Sequence, residues 1–87
     1  MEKSIFSRKH EVLLRLLRQA RYEANLTQVE LAERLHTKQA IISNIERGER
    51  RLDLIELQKL CDAVGVSVAE FARRFEQETD DDSVTQL

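Results

Sequence analysis

The sequence predicts an all-α protein, a compact five-helix bundle. Three observations point there. Apolar residues recur at three- and four-residue spacing along five segments. Three of these segments open on Thr, Asp or Ser with Glu three places later, the signature of a reciprocal capping box. The 87 residues include no Pro and only two Gly, with 34% charged and 5% aromatic, which suits a surface-rich helical bundle and argues against a β-sandwich. A chain of this length makes one small domain with a marginal core of the kind often supported by a partner subunit.

The first helix is expected from about Ser7 to Ala24. Leu13, Leu17, Ala20 and Ala24 share a face, with Leu14 and Leu16 at its sides. Asn25 follows, a residue that tolerates the left-handed conformation that ends a helix. The second helix starts at Thr27, where Thr27-Gln-Val-Glu30 is a capping box, and Leu31, Ala32 and Leu35 face inward. His36 occupies the turn, at some conformational cost. The third runs from Thr37 or Lys38 to Arg47 and is closed by Gly48, with Ile42 and Ile45 inward and Ile41 on the boundary. The fourth begins at the Asp53–Glu56 box, buries Leu57, Leu60, Cys61 and Val64, and ends at Gly65. The fifth begins at the Ser67–Glu70 box, with Phe71 and Phe75 buried one turn apart.

The segment Leu26 to Gly48 is thus two short helices joined by a tight turn, the arrangement with which a helix-turn-helix docks on DNA. Thr27 and Thr37 are placed to cap the two N-termini. Gln28 and Gln39 sit beside those N-termini, where the backbone attracts phosphate. At 100° per residue, Ala40, Ser43, Asn44 and Arg47 point away from the core, and Gln39 projects from the first turn. Gln39 is the foremost candidate for base contact, because an amide donates and accepts at once and so matches adenine N6 and N7. Lys38 could reach guanine O6/N7 or a phosphate. Asn44 could pair with adenine or touch the backbone, Ser43 could touch a base or act as a spacer, and Ala40 could contact a thymine methyl. Each of these has a plainer reading as a solvated surface residue.

On those residues the chain resembles the phage repressor and Cro family, the Xre-type helix-turn-helix proteins. The resemblance covers roughly Leu13 to Phe75. It rests on Arg21 five residues before the Leu of LTQ, on Thr27, Gln28, Leu31 and Ala32, on the end Ile42, Ile45, Glu46, Arg47, Gly48, and on GVSVAEF from Gly65 to Phe71. It implies a lambda-repressor-like fold with the helix-turn-helix at helices 2 and 3. It implies that Gln39 reads bases, and that Gln28, with Thr27 beside it, contacts phosphate and braces Gln39. It places the loop bearing Arg47, Arg50 and Arg51 along the sugar-phosphate backbone, where such contacts set register and not sequence. It pairs Arg21 with Glu46 as a structural ion pair between the first and third helices. A polar residue is common in the family where Ala40 stands, which thins direct readout here.

The net charge of −2 conflicts with DNA binding only until its distribution is seen. Residues 76–87 hold five acids (Glu76, Glu78, Asp80, Asp81, Asp82) and no base, which leaves fourteen bases against eleven acids, a net +3, on residues 1–75. The expected organisation is a DNA-binding domain over 1–75 and a disordered acidic tail over 76–87, there for solubility or to compete with DNA for the basic face. Lys3, Arg8 and Lys9 could form an N-terminal arm. The lone Cys61 reads as a small buried thiol. His10 and His36 are too few and too separated for a metal site, and no cofactor is expected. No apolar run is long enough to span a membrane and the start lacks a signal-peptide core, so a cytoplasmic location is expected.

The leading expectation is a transcriptional regulator, specifically a repressor, binding double-stranded operator DNA as a homodimer, with Val66, Val68, Phe71 and Phe75 as candidates for the dimer surface. The alternative is a DNA-binding antitoxin or an adaptor module that acts through a protein partner. An enzyme is not expected: no nucleophile–base pair, phosphate loop or carboxylate constellation stands out.

Overall fold

Five helices follow one another in the computed structural model, which describes residues 7–80: α1 (Arg8–Glu23), α2 (Gln28–Arg34), α3 (Gln39–Glu46), α4 (Leu54–Val64) and α5 (Val68–Glu78). The starts follow local chemistry. Ser7 accepts from the His10 amide at 3.1 Å, and the Thr27–Glu30 and Asp53–Glu56 boxes both close in both directions. At α5 only half of the expected box forms. Ser67 accepts from the Glu70 amide, but the Glu70 carboxylate pairs with Arg73 and with Arg74. The turns are left-handed where they were expected: Asn25 at φ 60, His36 at φ 56, Gly48 at φ 80 and Gly65 at φ 82.

α1 packs on α3, α4 and α5, and α2 packs on α3 and α4. The core they enclose includes Leu31, Ile42, Ile45, Leu60, Cys61 and Phe71. Each large apolar side chain buried there contributes about 1.5–3 kcal/mol. The buried face of α1 differs from the expected one: Val12, Leu16, Leu17 and Ala20 are buried, while Leu13 and Leu14 are half-buried. A helix that touches three others needs a wide apolar stripe, so its centre shifts from the single seam that periodicity suggests. The Cys61 thiol is buried, and burial raises its pKa above the ordinary value, with Asp62 adding to the effect.

Two further expectations shift. α5 runs to Glu78, past the boundary placed at residue 75, and the Glu78 carboxylate accepts from Arg15 of α1 at 2.8 Å. Thr79 closes the helix, its hydroxyl donating to the Phe75 carbonyl at 2.7 Å. The rest of the acidic tail from Asp81 onward lies outside the described residues, as does Lys3 of the N-terminal arm. Phe71 is only 3% exposed, so it serves the core and not a dimer surface; Val66, Val68 and Phe75 are half-buried against that core. The large apolar side chains left in solvent on α4 are Leu54 and Ile55, at 71% and 65% exposure. Among the described residues no helix is long and apolar enough to cross a membrane.

Candidate nucleic-acid interface

The turn between α2 and α3 is set by backbone hydrogen bonds. The His36 amide donates to Glu33 and the Thr37 amide to Ala32, at 3.2 and 2.9 Å. Because Thr37 is still closing α2, it does not cap α3. The cap position falls to Lys38, in extended backbone, whose side chain makes no capping bond. The expectation of a Thr at both N-termini therefore holds for Thr27 alone. α3 leaves by a Schellman turn: Gly48 donates to Ile45 at 3.0 Å and Glu49 to Asn44 at 2.8 Å. Gly48 has two reasons to be Gly. Its φ is 80, and a Cβ there would lie 3.0 Å from Leu14 Cδ1.

Ile42, Ile45 and Glu46 anchor α3 inward. Lys38, Gln39, Ala40 and Arg47 are exposed, and Ser43 and Asn44 half-buried, on the other side. Glu46 is the root of a hydrogen-bonded chain that ends at the exposed start of α3. Arg21 grips its carboxylate with Nε at 2.7 Å and Nη2 at 2.9 Å, and donates its Nη1 to the Leu26 carbonyl at 2.9 Å. Both side chains are buried, and the Tyr22 ring covers the guanidinium at 4.7 Å. The hydrogen bond to Glu46 raises the Arg21 pKa further above its usual value.

Gln28 Nε2 also donates to Glu46 Oε1, at 3.0 Å. A carboxylate in an ion pair only accepts, so the Gln28 amide must turn its nitrogen inward. Its Oε1 then faces outward and accepts from Gln39 Nε2 at 3.2 Å. Among the described residues Gln39 keeps its own Oε1 and a second N–H unspent. The buried ion pair thus dictates which way the exposed amide at the head of α3 points.

The arginines of the following loop are not equivalent. Arg47 is held by Ser43, Asn44 and Glu49. Arg50 is paired with Glu56 at 3.0 Å. Arg51 is exposed and makes no hydrogen bond or ion pair with the described residues. Thr27 is exposed, its hydroxyl engaged with the Glu30 amide at 3.0 Å. Sequence reasoning missed two contributors. Arg18 donates to the Glu46 carbonyl at 2.9 Å and so ties down the C-terminal end of α3. Its signal was its position three residues before Arg21, on the same helix face. Glu49 holds Arg47, and alternating charge in Arg47-Gly-Glu-Arg-Arg51 was the only hint of it.

Two short helices at a tight turn, the second presenting a small polar face whose leading amide is oriented from the core, define a helix-turn-helix DNA-binding domain. The comparisons agree. A helix-turn-helix family model matches residues 15–71. The chain is similar to a solved XRE-family like protein from Pseudomonas syringae pv. tomato, at 38% identity and a TM-score of 0.80 over 87% of this chain and 93% of that one. It is similar to a mutant of the restriction-modification controller protein C.Esp1396I, at 26% identity and a TM-score of 0.74 over 83% and 91%. It is also similar to the clp gene regulator ClgR from Corynebacterium glutamicum, at 30% identity and a TM-score of 0.71 over 82% and 91%. No curated protein matches. The chain belongs to the Xre-type helix-turn-helix family, whose members are DNA-binding transcriptional regulators.

Proposed function

We propose that this protein is a sequence-specific transcriptional repressor that binds operator half-sites as a homodimer, with α3 in the major groove. The observation that carries the reading is the chain from Arg21 and Glu46 through Gln28 to Gln39. It delivers a pre-oriented acceptor and donor to the exposed start of α3, the pair that adenine N7 and N6 require. Lys38, Ala40, Ser43 and Asn44 complete the base-reading face. Thr27, Gln28, Arg50 and Arg51 line its edges and meet phosphates, Arg51 with the least reorganisation because it leaves no partner among the described residues; Arg47 must first leave Glu49. The names of two structural neighbours, a controller protein and a gene regulator, support the regulatory reading.

One α3 spans too few base pairs for useful specificity, so two copies are needed on half-sites about 34 Å apart. Leu54 and Ile55 supply the exposed apolar surface for that pairing. Selection of bound sequences from random DNA tests the reading. A two-fold symmetric site is expected, and Gln39→Ala should cost about 1–3 kcal/mol on it and relax one base pair per half-site. An unchanged selected sequence would remove Gln39 from the reading face. Sedimentation of Leu54→Asp should show a monomer. A wild-type chain that stays monomeric until a second protein is added would favour an antitoxin or adaptor.

A further inference from the structure

We propose that Glu49 is a specificity-determining residue, which withholds Arg47 from any DNA that does not seat α3 fully. This rests on the reading of α3 as the groove helix. All three guanidinium nitrogens of Arg47 are engaged within the protein. Nε and Nη2 donate to the two Glu49 oxygens at 3.2 and 3.1 Å, Nη2 also donates to Asn44 Oδ1 at 2.8 Å, and Nη1 donates to Ser43 Oγ. Glu49 is held in place by backbone, since its amide closes the Schellman turn on Asn44. The Arg47 charge is therefore cancelled where the chain leaves α3. An arginine can only donate, so Asn44 must turn its oxygen to Arg47 and present its NH2 outward.

The pair is more than half exposed on both sides, at 55% and 58%, and such pairs are weak in water. A phosphate oxygen within hydrogen-bonding distance can displace Glu49. A phosphate held several ångströms off cannot, because it is too far to replace the hydrogen bonds that Arg47 would give up. Arg47 therefore changes partners on a site that lets α3 descend, and stays with Glu49 elsewhere.

The test is the salt dependence of binding. For Glu49→Gln the slope of log affinity against log salt should steepen by about 0.9 on non-cognate DNA, one added phosphate contact, and stay unchanged on the selected site. The preference for the selected site over non-cognate DNA should shrink accordingly, by about three- to fourfold more at 50 mM than at 200 mM salt. In an Arg47→Ala background Glu49→Gln should no longer steepen the slope. Steepening that persists there would make Glu49 a general acidic charge and overturn the proposal. So would an unchanged slope in the single variant, while leaving the groove-helix reading intact. A wild-type chain that selects no sequence would remove that reading, and this proposal with it.

Discussion

Two arginine–glutamate pairs meet at the end of α3, built on the neighbouring residues Glu46 and Arg47. In both a guanidinium uses two nitrogens on one carboxylate. Arg21 and Glu46 are 7% and 6% exposed, whereas Arg47 and Glu49 are 55% and 58% exposed. A turn of 100° separates the two positions on the helix, and that turn divides core from solvent. In the interior, each charge has lost its water and depends on the other, so the pair is permanent and can orient Gln28 and Gln39. At the surface, water competes with the partner, so the pair can be exchanged for a phosphate. Hydrogen bonding from Arg47 still holds the Glu49 carboxyl below its usual pKa, which keeps it charged at any pH where DNA binding is of interest. Identical chemistry gives a fixed brace in one place and a replaceable contact in the other, and burial alone makes the difference.

The largest effect should come from breaking the buried pair. Arg21→Met takes the arginine from the buried Glu46 carboxylate and leaves it only the Gln28 amide, at a cost of about 3–5 kcal/mol. In a domain of this size that lowers the melting midpoint by more than about 10 °C. Circular dichroism measures it, and Arg21→Met combined with Glu46→Leu should recover most of the loss. An unchanged midpoint in the single variant would show that the pair is screened after all. Gly48→Ala, between the two pairs, should come next, at about 1–2 kcal/mol, from the left-handed backbone and the crowding of Leu14. A midpoint equal to wild type would mean that the loop shifts freely. Arg47→Ala should move the melting midpoint far less than Arg21→Met does, because exposed pairs contribute little. A loss as large as that of Arg21→Met would erase the contrast between the pairs.

The smallest effect concerns His10, which underlies the loop carrying Gly48. Its Nε2 is buried without a partner among the described residues, and its pKa is lowered, first by burial and then by Arg51. Below about pH 6.5 the unfolded chain takes up this proton more readily than the folded one. Stability should therefore decline as pH falls through 6.5 and level off below the folded value. Urea midpoints of wild type and His10→Gln, compared between pH 7.5 and 5, should diverge in that direction. Parallel curves would show that the loop yields to the proton without cost.

Much of this was legible in the sequence because it is local. Thr27 with Glu30, and Asp53 with Glu56, sit within four residues of each other, so the chain can specify those helix starts before any packing occurs. Asn25, Gly48 and Gly65 mark helix ends for the same reason. The Arg21–Glu46 pair spans 25 positions and was anticipated through the family resemblance, with the wheel position of Glu46 in accord. The remaining questions were competitions between partners, which no local pattern resolves. Glu70 could cap α5 or bind its arginines, and took the arginines. Thr37 could cap α3 or finish α2, and finished α2. Phe71, Leu54 and Ile55 are alike apolar, but only the helices lying over each one decide that Phe71 is core and the other two are surface. Three arginines near Gly48 read the same in sequence; in space Glu49 takes Arg47 and Glu56 takes Arg50, while Arg51 meets no carboxylate among the described residues. Helix limits were thus determined by contacts three or four residues long, and charge availability by which side chains the fold brought within hydrogen-bonding reach.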